Sequence, residues 1–173
     1  MINQIKSRSI DILYKLLPFV FLIHNLEETI WVARMQEFSM NTPDLDTDVF
    51  AFQFRIAVFI FTVLGFVLAF GFQKSRYYDL LMNGFAGALF LNVFFPHTVA
   101  SVYYLSYLPG LVSGLLLVLP LTFLILQRNF KNTRINKCSF FVSIIVGALT
   151  GIVLIIGLLY LGNRLAESII HKI

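Results

Sequence analysis

Four apolar runs, at about residues 49–72, 79–104, 109–127 and 139–162, restrict this chain to a narrow set of architectures. A helix rises about 1.5 Å per residue and a bilayer core is roughly 30 Å thick, so about 20 apolar residues suffice to cross it. In hydrocarbon each backbone N–H and C=O needs a partner within its own segment, and runs of this length therefore fold as helices. Composition agrees: 58% of the residues are hydrophobic and only 13% are charged, which sets the chain apart from soluble domains. The expectation is an all-α polytopic membrane helix bundle, with residues 1–173 forming a single transmembrane domain.

A shorter apolar stretch precedes these four. It covers residues 12–23, is interrupted by Tyr14 and Lys15, and leads directly into His24, Glu27 and Glu28. Lys6, Arg8 and Lys15 stand before its apolar part, as in a secretory signal peptide, but no small-residue cleavage site follows. Loop charges decide whether it spans. Basic groups at the N-terminus, at Lys74 and Arg76, and at Arg128, Lys131, Arg134 and Lys137 alternate with an acidic 35–48 segment (Glu37, Asp44, Asp46, Asp48) and an uncharged 105–108 loop. Five spans, the first at about 11–34, with the N-terminus inside and the C-terminus outside, satisfy the positive-inside rule at every loop. Basic residues in these places set topology; they do not form a nucleic-acid surface. The single Cys138 excludes an internal disulfide and a multi-cysteine metal cluster. Gly147-x-x-x-Gly151 and Gly110-x-x-x-Gly114 allow close helix approach and leave a homodimer open. The chain has no internal repeat, so an inverted-repeat transporter is not indicated.

The informative residues are the polar ones inside these helices. His24, Glu27 and Glu28 lie at i, i+3 and i+4 and so project from one side of the first helix. A charge at the bilayer centre costs about 2.5–3.5 kcal/mol on insertion scales, so the pair must bind a cation, share protons or face water. The third helix offers a counterpart in Asn92 and His97, flanking Pro96. Proline lacks an N–H, so the helix should kink there and free a backbone carbonyl near Asn92. Counted from the inner ends, His24 and Glu28 lie about 18 and 24 Å along their helix, and Asn92 and His97 about 18 and 25 Å along theirs. Both groups fall in the same outer-leaflet band. The fourth helix enters that band at Tyr107-Leu108-Pro109-Gly110-Leu111-Val112-Ser113, where its free amides and the Tyr107 and Ser113 hydroxyls suit a negative charge or a substrate oxygen.

These three motifs, in this order over about residues 12–126, resemble the HXXEE-motif family of small, mostly bacterial multi-spanning membrane proteins. The resemblance supports the choice of residues and implies no particular activity.

Two functional classes stay open on the sequence. The first is an enzyme whose His24, Glu27, Glu28 and His97 hold one divalent metal, zinc or iron, or act as an acid–base set on a lipid-like or membrane-associated substrate. Asn92 and Tyr107 complete the set of expected catalytic residues. The second is a cation- or proton-coupled transporter using the same groups. A sensor or accessory protein with a structural polar cluster is a blander third. In each case the lipid bilayer is the surrounding partner, and a multi-pass protein of a bacterial cytoplasmic membrane is expected. Trp31 and Arg55 read as interface anchors, and Ser113 as a packing residue beside the glycines.

Overall fold

The computed structural model describes residues 2–32, 47–131 and 135–170; most of the expected acidic 35–48 segment, Arg134 and His171 lie outside them. Among the described residues the chain forms five helices and no strand. They are α1 (Ile2–Ile30), α2 (Thr47–Phe66, continued by a wider turn at Val67–Gly71), α3 (Tyr78–Tyr103, broken at Val93–Thr98), α4 (Leu111–Lys131) and α5 (Lys137–Ile170). Helices α2 to α5 are each long and apolar enough to cross a membrane. The protein is thus a helical membrane bundle. At 29 residues α1 also has the length, but Asp11, Lys15, Glu27 and Glu28 make it the most charged of the five.

Side-chain pairs fix the directions. Tyr14 meets Tyr78 and Phe21 meets Phe85, with ring centroids 5.4 and 5.6 Å apart, so α1 and α3 run parallel. Phe19 on Phe66 and Asn25 on Thr62 set α2 antiparallel to α1, and Tyr14 on Asn129 with His24 on Ser113 does the same for α4. Asn83 bonds to Ser143 near the start of α5, and Gly162 near its end lies on Gln53 near the start of α2. Lys74, Arg76, Arg128, Lys131 and Lys137 therefore gather at one end of the bundle, as topology-setting charges do.

One stripe of α1 faces inward: Ile10, Tyr14, Leu17, Phe21, His24, Asn25 and Glu28 are buried, at the three- and four-residue spacing of a single helix face. Its apolar part packs on Ala69, Met82, Ala86, Leu89, Val93, Val118 and Ile125. The opposite stripe, Ile12, Leu16, Phe19, Ile23, Leu26 and Ile30, is exposed and apolar. Towards its C-terminal end, then, α1 is polar inside and apolar outside. Helices α3 and α5 approach so closely that a Cβ on Gly84 would lie 2.7 Å from the Ser143 carbonyl oxygen, and one on Gly147 would meet the Gly84 backbone. Gly151, the other half of that small-residue motif, has open space beside it.

Candidate functional site: a buried histidine–glutamate cluster

The inward stripe of α1 ends in His24 and Glu28, and the break in α3 brings His97 onto them. Phe95 leaves helical geometry (φ −122°, ψ 115°) just before Pro96, where the missing N–H removes a helical bond. The Thr98 hydroxyl donates to the Val93 carbonyl at 2.7 Å, satisfying backbone at the break. Beyond it the His97 ring turns inward and stands edge-on to His24, with centroids 5.0 Å apart. Glu28 Oε1 lies 3.0 Å from His97 Nε2 and 3.5 Å from His24 Nε2. One ligand atom from each of the three residues lies within 4.8 Å of the other two. The histidines are 1% exposed and Glu28 is 7% exposed. Asn92 Nδ2 stands 3.2 Å from His97 Nε2, holding that ring from the turn before the break.

Glu27 takes a different direction from its neighbour. Tyr107 donates its hydroxyl to Oε1 at 2.5 Å; the backbone N–H groups of Gly110 and Val112 donate to the same oxygen at 3.1 and 3.2 Å, and that of Ser113 donates to Oε2 at 2.7 Å. The start of α4 has no side-chain cap of its own, so a carboxylate from α1 satisfies N–H groups that a helix start leaves without partners. Helix α4 begins at Leu111, and Pro109 lies before its first turn, because Gly110 adopts a left-handed backbone with φ 87°. Glycine is required there on two counts. Non-glycine residues disfavour that backbone, and a Cβ would lie 2.7 Å from His97 Cε1, 2.9 Å from His24 Cε1 and 3.0 Å from Glu28 Cγ.

Of the residues singled out in the sequence, His24, Glu28 and His97 converge, with Asn92 beside His97. Glu27 and Tyr107 form the adjoining anchor to α4. Two further contributors come from the start of α4, where Ser113 reads in the sequence as a packing residue or a hydroxyl donor and Gly110 as a packing glycine. Ser113 lies under His24, its Oγ 3.1 Å from Nδ1, and Gly110 forms the floor beneath both imidazoles. The proline and glycine so near a helix start signalled a special turn, but nothing local indicated which side chains would rest on it.

A metal ion fits this donor set by its chemistry. Two imidazoles and one carboxylate, all buried, are the ligand types of zinc and non-haem iron sites that keep a position open. His24 Nε2 and His97 Nδ1 are buried without a hydrogen-bond partner, a cost that ligation of a cation would relieve at His24.

The same region carries the resemblance to other proteins. The chain is 34% identical over 133 residues to the uncharacterized protein YrkK of Bacillus subtilis (strain 168), covering 75% of this chain and 82% of that protein. No solved structure matches it. The model of the family described as "Protein of unknown function with HXXEE motif" matches residues 15–125, the stretch that holds His24, Glu27, Glu28, Asn92, His97 and the start of α4, and the chain belongs to that family.

Proposed function

We propose that His24, Glu28 and His97 hold one divalent cation, zinc or iron, within the outer half of a bilayer, and that the protein is an intramembrane enzyme acting on a lipid-like substrate. The observation that carries this reading is the meeting of Glu28 Oε1 with His97 Nε2 at 3.0 Å and His24 Nε2 at 3.5 Å in a buried pocket. A carboxylate with two imidazoles in such a place needs a cation or a shared proton to offset its desolvation. When bound, the cation supplies Lewis-acid polarisation of a substrate oxygen or of water. Glu28 contributes the charge of the ligand set, and His24 and His97 the neutral donors. Glu27, saturated by four donors, serves to hold α4 against α1.

Membrane depth is supported by the outer face of α1, where Ile23, Leu26, Ile30 and Trp31 remain exposed and apolar alongside the carboxylates. A helix that is polar inside and apolar outside suits lipid, and a site at that depth is reached most directly by a molecule already in the bilayer. The bacterial relative favours a bacterial cytoplasmic membrane as the location. Transport has less support, because a layer of buried apolar side chains (Leu17, Phe21, Met82, Ala86, Leu89, Val93) fills the bundle below the site. Two measurements test the reading. Metal analysis of detergent-purified protein should find one equivalent in wild type and a large loss in Glu28→Gln. Zinc- or iron-loaded wild type in vesicles of bacterial membrane lipid should then alter the lipid profile by mass spectrometry where Glu28→Gln does not. Stoichiometric metal with identical lipid profiles would leave a metal site and remove the enzyme.

A further inference from the structure

We infer that a cleft between α3 and α4 seats one acyl chain of an outer-leaflet lipid and brings the polar end of that lipid level with the His24, Glu28 and His97 cluster. Only its purpose, holding the substrate, rests on the enzyme reading. Both walls of the cleft are irregular helices. Helix α3 is broken at Val93–Thr98, and α4 widens at Gly114–Val118, ahead of Pro120, which has no N–H to give the preceding turn. The two irregular turns lie together: a Cβ on Gly114 would sit 3.5 Å from a Val93 methyl group and 3.6 Å from His24 Cε1. They therefore share the level of the imidazoles. Next to them the helices leave a cleft of about 380 Å³ lined by Phe90, Phe94, Leu119, Pro120 and Phe123. Phe90 and Phe94 stand one turn apart on its α3 wall, with ring centroids 5.3 Å apart. From Gly114, Leu119 and Phe123 lie about 8 and 14 Å further along α4, towards the end with the basic loops. The cleft thus begins at the level of the cluster and runs towards the middle of the bilayer, the course of a chain whose headgroup lies outside.

The lining decides the occupant. It carries no polar side chain, and both walls belong to helices long and apolar enough to cross a membrane, so the cleft suits neither a headgroup nor water. A partner helix, about 10–12 Å across, is far too wide for that volume over about 14 Å of length. A single hydrocarbon chain fits. Lipid tails are as apolar as leucine, so the chain gains no hydrophobic burial on leaving the bulk bilayer; it gains close packing against aromatic rings. Helix α5 provides the contrast. Its Ile145, Leu149, Ile152 and Ile156 are exposed, and Gly151 and Gly157 have open space beside them, a surface for bulk lipid. The substrate class follows: a membrane lipid held by at least one acyl chain and presented to the cluster near its polar end.

The test uses the full chain in vesicles of phosphatidylethanolamine and phosphatidylglycerol, doped with a phosphatidylethanolamine that carries a photoreactive diazirine midway along one acyl chain. After irradiation, peptide mass spectrometry locates the label. It should concentrate on residues 90–94 and 119–123 and exceed that on the exposed face of α5. Leu119→Trp, which fills the cleft, should lower the cleft label by about tenfold and leave the α5 label and zinc affinity unchanged. Phe123→Ala should lower it less and spare the core, because that ring is half exposed. Label spread evenly over the exposed faces of α2 to α5 would overturn the inference without any variant, as would a cleft label unchanged in both variants. Failure of the enzyme reading would look different: label concentrated in the cleft, with a lipid profile unaltered by the metal-loaded protein, keeps the lipid site and removes its purpose.

Discussion

At the end of the bundle that carries the basic loops, Tyr14 donates to Asn129 at 2.8 Å, Asn129 to Asn83 at 2.9 Å, and Asn83 to Ser143 at 2.8 Å and the Phe140 carbonyl at 3.1 Å. At the other end, His24, Glu28 and His97 converge with two buried ring nitrogens unpartnered. The first cluster is a ladder of neutral groups in which donor meets acceptor at each step, and it crosses α1, α4, α3 and α5. Such a network satisfies itself and specifies how the helices pack. The second sets a buried carboxylate against two imidazoles and leaves one nitrogen of each ring without a partner. Burial of polar groups therefore separates structure from function only when donors and acceptors are counted.

The contrast breaks first at Glu28. Glu28→Gln should weaken zinc binding by more than the roughly 10–100-fold that loss of a ligand's hydrogen-bond partner costs, while the stability of the metal-free protein stays the same or rises as a buried charge disappears. Zinc titration alongside denaturant unfolding in detergent checks both halves. Asn129→Leu should do the reverse. It removes the acceptor of the Tyr14 hydroxyl and the donor to the Asn83 carbonyl, and unfolding should show a loss of about 1–3 kcal/mol with zinc affinity unchanged. Gly110→Ala should couple the two properties, because it strains a left-handed backbone and presses on both imidazoles. A loss of about 1–2 kcal/mol from the backbone should accompany weaker zinc binding. The smallest effect belongs to Asn25→Leu, which removes the 2.6 Å bond to Thr62 between α1 and α2. About 0.6 kcal/mol of stability is at stake, the usual worth of such a bond between membrane helices.

Much of this was legible in the sequence because hydrocarbon leaves a chain few choices. Run lengths gave α2 to α5, and Pro96 marked the break in α3. The separate roles of Glu27 and Glu28 were not legible. Adjacent residues on a helix point about 100° apart, and periodicity says that both leave one side of α1 without saying that α4 lies nearer one and α3 nearer the other. Ser113 stayed between a packing and a hydroxyl role for the same reason, since a serine beside glycines looks the same whether it packs or links His24 to Glu27. Asn83, Asn129 and Tyr14 sit singly in different helices, and only the assembled bundle makes them a ladder.

A metal held by His24, Glu28 and His97 is tested most directly by zinc-edge X-ray absorption on the zinc-loaded, detergent-purified protein, compared with His97→Ala. The wild-type spectrum should fit two imidazoles and oxygen donors without sulfur, and His97→Ala should lose one imidazole from the fit. A zinc environment without imidazole scattering, or one identical in wild type and His97→Ala, would contradict a metal at this cluster.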